Sequence, residues 1–215
     1  LDRYMIVAVD DFNMGAMENK GLNIFNTKYV LANEKTATDK DLLYIDRVIA
    51  HEYFHNWTGN RVTLRDWFQL SLKEGLTVFR DQLYGEDRYD AGVQRIQEVK
   101  SLRMHQFAED SSPMAHPVRP KLYKEINNFY TSTIYEKGAE IIRMICLLLG
   151  KDNFTKSIKY YLDKLDGKAA TIEEFLNLIS EYSEKNFSNF INWYNRAGTP
   201  VVNIDYLYNE SKKTL

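Results

Sequence analysis

The residues able to do chemistry stand close together: His51-Glu52-Tyr53-Phe54-His55, then Glu74 after an intervening eighteen residues. On a helix, positions four apart lie one turn apart and about 40° around the axis, so both imidazoles can face one cation. Two imidazoles and one carboxylate with an open fourth position make a catalytic zinc pattern. Structural zinc sites are usually closed by four protein ligands and rich in cysteine, whereas this chain has 1 Cys. Glu52, rotated by about 100° from His51, stands outside the ligand set yet near enough to serve a metal-activated water. Zinc lowers the pKa of water toward about 7 and polarises a carbonyl oxygen. Glu52 would take the water proton and hand it to the leaving amine. The expected chemistry is amide hydrolysis at one Zn2+ per chain, without a covalent intermediate.

Two helices must position this set. Apolar residues at Leu42, Ile45, Val48 and Ile49 have helical spacing and run into His51 and His55, with Thr58-Gly59-Asn60 as the stop. Asp66, three residues before Gln69, resembles a capping box and predicts a second helix from near Trp67 through Glu74. Gly75 inside that helix costs about 1 kcal/mol relative to alanine, which points to a close approach beside the metal. Asp81 lies about 20° off the face of Glu74, where it either accepts the second N–H of a ligating histidine or is a solvated acid. Residues 4–9 and 22–31 read as paired strands around a functional loop, Asn13-Met14-Gly15-Ala16-Met17-Glu18-Asn19. Beyond the metal helices, residues 88–109 read as a helix and 110–120 as a proline-rich loop. A strongly apolar helix is expected within 127–149, with Tyr130 and Tyr135 near its start. Further helices are expected at 153–165, 171–182 (opened by a Thr171/Glu174 capping box) and 187–196. Residues 201–206 look like a strand left without its sheet. His105 and His116 have no partner at ligand spacing.

The composition excludes several classes. With 215 residues, 44% hydrophobic and 13% aromatic content, the chain can fill a substantial core. Net charge is −2, and the basic residues are scattered, which argues against a nucleic-acid surface or a membrane patch. No apolar stretch approaches the roughly 20 residues that span a bilayer. Cys146 sits in an apolar run and reads as a small core residue. Sequons occur at Asn56, Asn153, Asn186 and Asn209. A glycan on Asn56 would crowd His55, so a cytoplasmic location is expected. The chain opens at Leu1 in a strand pattern without Met or a signal-like segment, and reads as part of something longer.

Gly15-Ala16-Met17-Glu18-Asn19, the His51–His55 pentapeptide and Glu74 together resemble the zinc-dependent aminopeptidase N (alanyl aminopeptidase) family, gluzincins with a thermolysin-like catalytic domain. The likeness is to bacterial-type members. It continues through Gly59-Asn60-Arg61-Val62-Thr63, Trp67-Phe68-Gln69, Leu72-Lys73-Glu74-Gly75-Leu76-Thr77, Asn128-Phe129-Tyr130 and Tyr135-Glu136-Lys137-Gly138-Ala139. The resemblance implies an α+β fold: a short N-terminal β-sheet segment, then a mainly α-helical part over residues 1–197, with 198–215 beginning a following β-sandwich. It implies that Glu18 binds the free α-amino group of a peptide and that the backbone around Gly15 and Ala16 lies along that peptide, within a substrate-binding stretch from Met14 to Asn19. It also implies that Met14 and Tyr130 line the first side-chain pocket and that Tyr135 donates to the oxyanion. Family members are far longer: an N-terminal β domain completes the amine site and a C-terminal helical domain closes the cavity. Two other readings compete. Bifunctional epoxide hydrolase/aminopeptidases of the leukotriene A4 hydrolase type share the ligands but typically carry Gly-Gly-Met-Glu-Asn. A non-catalytic peptide-binding relative would have no need for Glu52, Tyr135 and all three ligands.

Overall fold

Thr38 opens the first long helix: its side chain accepts from the Asp41 N–H while the Asp41 carboxylate accepts from the Thr38 N–H, a capping box. The computed structural model describes residues 2–214, and this helix, α1, spans Asp39–Phe54, with His55 as its C-cap. Before it lies a three-stranded sheet of β1 (Met5–Val9), β2 (Ala16–Met17) and β3 (Leu22–Asn26), in the order β1-β3-β2. The expected strand pair is present and is parallel, Met5 opposite Leu22. The loop between them contributes a strand of its own, since Ala16 and Met17 pair antiparallel with Phe25 and Ile24. β3 is shorter than its sequence pattern: the Asn26 side chain accepts from Lys28 N–H and turns the chain into a 3-10 segment, Thr27–Tyr29.

After α1 the chain turns at Gly59, whose φ of +135° lies in the region that favours glycine. β4 (Thr63–Leu64) follows, and Asp66 caps the 3-10 turn Trp67–Gln69 that leads into α2 (Leu70–Arg88). The long helix expected over 88–109 is α3 (Ala91–Ser101), a π turn (Leu102–Gln106) and α4 (Phe107–Asp110). A second π turn, Thr133–Lys137, opens α5 (Gly138–Leu149). Then come α6 (Lys151–Lys164), β5 (Ala169–Ala170), α7 (Ile172–Ser183) and α8 (Ile191–Asn195). The Thr171/Glu174 capping box is formed at the start of α7. β4 and β5 form a small parallel pair that the sequence pattern does not reveal. Residues 201–206, expected as a strand, form no ladder among the described residues, and Val201 is 87% and Ile204 80% exposed.

The main core lies where α2, α5, α6 and α7 meet, and Cys146 is buried in it. α2 crosses α5 closely at one point. A Cβ on Gly75 would stand 2.8 Å from the Gly138 carbonyl carbon and 3.0 Å from its Cα, so Gly75 permits the close approach beside Glu74. The two helical glycines of α2 therefore respond oppositely to alanine. Gly75→Ala is expected to destabilise by about 1–3 kcal/mol through overpacking. At Gly85, a Cβ meets nothing nearer than 3.4 Å, so alanine should be neutral or stabilise by up to about 1 kcal/mol. Thermal melting of the two variants checks both signs.

Candidate active site

α1 and α2 bring three acceptor atoms to one point. His51 Nε2 and His55 Nε2 are 3.0 Å apart, and Glu74 Oε2 lies 3.4 Å from the first and 3.2 Å from the second. The other ring nitrogens fix the tautomers. His51 Nδ1 is 2.8 Å from Asp81 Oδ2, and His55 Nδ1 is 2.8 Å from Thr58 O and 3.1 Å from Thr77 Oγ1. A carboxylate and a carbonyl only accept, so each Nδ1 carries a proton and each Nε2 is the atom left to face Glu74 and any cation there. Glu74 Oε2 is buried without a hydrogen-bond partner among the described residues. A tetrahedral ion with ligand distances of about 2.0–2.1 Å spaces its donors about 3.3 Å apart. The triangle therefore fits a zinc-sized cation.

The electrostatics agree. Burial opposes charge on His51, yet the Asp81 and Glu74 carboxylates outweigh it and raise its pKa to about 10, so the pocket favours positive charge there. Burial likewise opposes ionisation of Glu74, and His55 and Lys73 overcome it, holding the carboxyl well below its ordinary range. Glu52 is the exception: burial pushes its carboxyl up despite both histidines. It is 6% exposed, and its Oε2 is also unpartnered among the described residues. Burial and the neighbouring Glu74 raise the Tyr135 hydroxyl well above its ordinary range, so it remains a donor. The Tyr135 ring stacks near His51, with centroids 6.4 Å apart.

A cleft of about 920 Å³ holds this centre. Met14, Gly15, Ala16, Met17 and Glu18 line it together with Tyr130 and Tyr135. Donor atoms of Glu18, Glu52 and His55 all lie within 4.8 Å of one another, so the loop acid stands beside the His51, His55 and Glu74 triangle. Asn19 is not among the lining residues. Its carbonyl accepts from the Leu22 N–H at 3.0 Å and from Asn23 Nδ2 at 3.1 Å, which makes it a turn residue of the β2–β3 hairpin. His105 lines the cleft but stands outside the ligand cluster, and His116 meets Glu109 and Thr131 instead.

Two residues missed by sequence reasoning belong to the site. Lys73 is buried, pairs with Glu18 and reaches Glu74 Oε1 at 2.9 Å. Nothing in its spacing marks it, because adjacent helix positions point about 100° apart. Arg47 Nη2 donates to Asp81 Oδ1 at 2.8 Å, so Asp81 is held from both sides. Its position one turn before His51 was an available signal.

Residues 1–194 match the model described as "Peptidase family M1 domain". The chain belongs to peptidase family M1. Among M1 relatives, it is 63% identical to Aminopeptidase N of Escherichia coli (strain K12) over 209 residues, covering 97% of this chain and 24% of that protein. It is 61% identical to Aminopeptidase N of Haemophilus influenzae, covering 100% of this chain and 25% of that protein. A crystal structure of Legionella pneumophila aminopeptidase A in complex with aspartic acid superposes with a TM-score of 0.83 at 37% identity. That match covers 92% of this chain and 22% of that one. The M1 chain described here thus spans about a quarter of the curated relatives it matches. The small sheet followed by a mainly helical part is the α+β architecture that the resemblance implied. If Asp81 orients His51 as the geometry indicates, Asp81→Asn should weaken divalent-metal binding by about 10- to 100-fold. Chelator competition on the full-length protein measures this; unchanged affinity would remove Asp81 from the metal's support.

Proposed function

We propose that this chain is the catalytic part of a zinc-dependent aminopeptidase that removes N-terminal residues from peptides with a free amino end. One observation carries the reading: the Glu18 carboxylate stands beside the His51, His55 and Glu74 triangle, in one cleft with Glu52. His51, His55 and Glu74 would hold the zinc. When bound, it supplies Lewis acidity, acidifying water and polarising the scissile carbonyl.

The chain's own side chains do the rest. Glu52, whose burial raises the proton affinity of its carboxylate, accepts the proton of the attacking water and delivers it to the leaving amine. Tyr135, still protonated, donates to the oxyanion, a contribution that can be worth a few kcal/mol. Glu18 is kept ionised by His55 and Lys73 against burial, and it receives the substrate ammonium. The Gly15–Ala16 backbone lies along the peptide, and Met14 and Tyr130 border the first side chain, where a flexible thioether suits varied residues. Ala16 favours a plain aminopeptidase over the leukotriene A4 hydrolase type, and retention of Glu52 with every ligand speaks against a non-catalytic binder.

The same reading makes residues 1–197 the peptidase domain and 198 onward the start of a following β-sandwich. Regions outside this chain complete the amine site and close the cavity, so residues 1–215 alone should turn over poorly even with zinc. The protein works in the cytoplasm on this reading. No helix among the described residues is long and apolar enough to cross a membrane.

In the full-length protein, Glu52→Gln should lower kcat by about 10²-fold or more with zinc content preserved. Full turnover by that variant contradicts the mechanism. Free-amine aminoacyl amides should be cleaved and their N-acetylated counterparts spared; equal rates on the two would remove Glu18 from its role.

A further inference from the structure

Tyr135 lies in the middle of the π turn Thr133–Lys137, in which the Gly138 N–H reaches back to Thr133 O. A π turn carries one residue more than an α turn, is rare, and persists where its surroundings hold it. Both ends of this one are buried and tied to the same cluster. At its last residue, Lys137 Nζ donates to Asp110 Oδ2 at 2.7 Å and to Gly198 O at 3.0 Å. At its first, Thr133 Oγ1 accepts from Gln106 Nε2 at 3.4 Å, and the same amide donates to Asp110 Oδ2 at 2.8 Å. Gln106 closes the other π turn, Leu102–Gln106. Asp110 also accepts from the Gly198 N–H at 3.0 Å and from Thr199 Oγ1 at 3.4 Å.

One buried carboxylate therefore collects four donors from three segments: the end of the first π turn, the end of the second, and the chain after α8. Burial alone would push the Asp110 carboxyl up. Lys137, Gln106 and the Gly198 N–H outweigh it and hold the carboxyl below its ordinary range. None of these groups belongs to the His51, His55 and Glu74 triangle or to the residues lining the cleft, and the proposed mechanism leaves them without a task.

We infer that Asp110, Gln106 and Lys137 are positioning residues: they clamp both ends of the π turn so that Tyr135 presents its hydroxyl to the developing oxyanion. They also couple that placement to the segment that begins at Gly198. The inference rests on the proposed role of Tyr135. An oxyanion donor acts in the transition state, so loosening the clamp lowers kcat and leaves KM in place. Asparagine at 110 keeps the shape but turns an N–H2 toward one of the donors it should accept from.

The test is a double-mutant cycle in the full-length, zinc-loaded protein: Tyr135→Phe, Asp110→Asn and the pair, with kcat and KM on aminoacyl amides, zinc content and melting measured together. Asp110→Asn should lower kcat by about 10-fold with KM and zinc content unchanged. On top of Tyr135→Phe it should do nothing further, because the group it positions has gone. Should Asp110→Asn fail to fold, Lys137→Arg enters the same cycle, keeping the charge but displacing the donors, with a smaller loss expected in kcat alone. Losses that multiply with Tyr135→Phe, an unchanged kcat, or a change confined to KM would overturn the clamp. A Tyr135→Phe variant with full kcat instead removes the oxyanion role itself, and the clamp with it.

Discussion

Two ring nitrogens and a carboxylate oxygen within 3.0–3.4 Å of one another call for positive charge among them, because the low dielectric around them strengthens the repulsion of their lone pairs. The surrounding structure holds the atoms against this force. Asp81 and Thr58 fix the two imidazole rings from behind, and Arg47 in turn fixes Asp81. The crossing of α2 over the start of α5 fixes Glu74, and that crossing depends on two glycines in backbone contact. On the proposed reading, such support keeps the three side chains in place for a cation, so little ordering remains to be done on binding.

The charge around this point is distributed with some care. Glu18, Glu52, Glu74 and Asp81 gather near the centre, and Lys73 and Arg47 stand against them. Lys73 touches both Glu18 and Glu74, and so keeps two carboxylates ionised at once. Glu52 pairs with neither cation among the described residues, and burial, helped by Glu18 and Glu74, pushes its carboxyl up against both histidines. Two kinds of carboxyl thus share one cleft: those held toward their ionised form, and one pushed toward its protonated form.

The features legible in the sequence were those with a period or a cap. Thr171/Glu174 and Asp66 marked helix starts because capping chemistry is local. His51 and His55 were legible because four-residue spacing places them on one face, Glu74 because the cap at Asp66 starts a second helix that can return to that face, and Gly75 because a helical glycine needs a reason. Elements without a period stayed hidden. The strands Ala16–Met17, Thr63–Leu64 and Ala169–Ala170 are two residues long, too short for alternation to register. The π turns at Leu102–Gln106 and Thr133–Lys137 leave no mark in a pattern read as a continuous helix. Lys73 was hidden for another reason: a lysine in a helix reads as solvated, and only the tertiary arrangement brings Glu18 to it. Residues 201–206 are the converse: alternation suggests a strand, and without its sheet it forms no ladder among the described residues.

Asn60, in the turn just past His55, donates its side-chain amide to the Glu18 carbonyl at 2.9 Å. The loop that would grip a peptide's first ammonium is therefore bonded to the same turn that ends the histidine helix. Lys73 ties the same loop to α2, beside Glu74. On the proposed reading, the span from amine anchor to metal is a ruler cut to a single residue and braced at both ends. Such a ruler measures backbone rather than side chain, so it would trim different peptides by the same step each time.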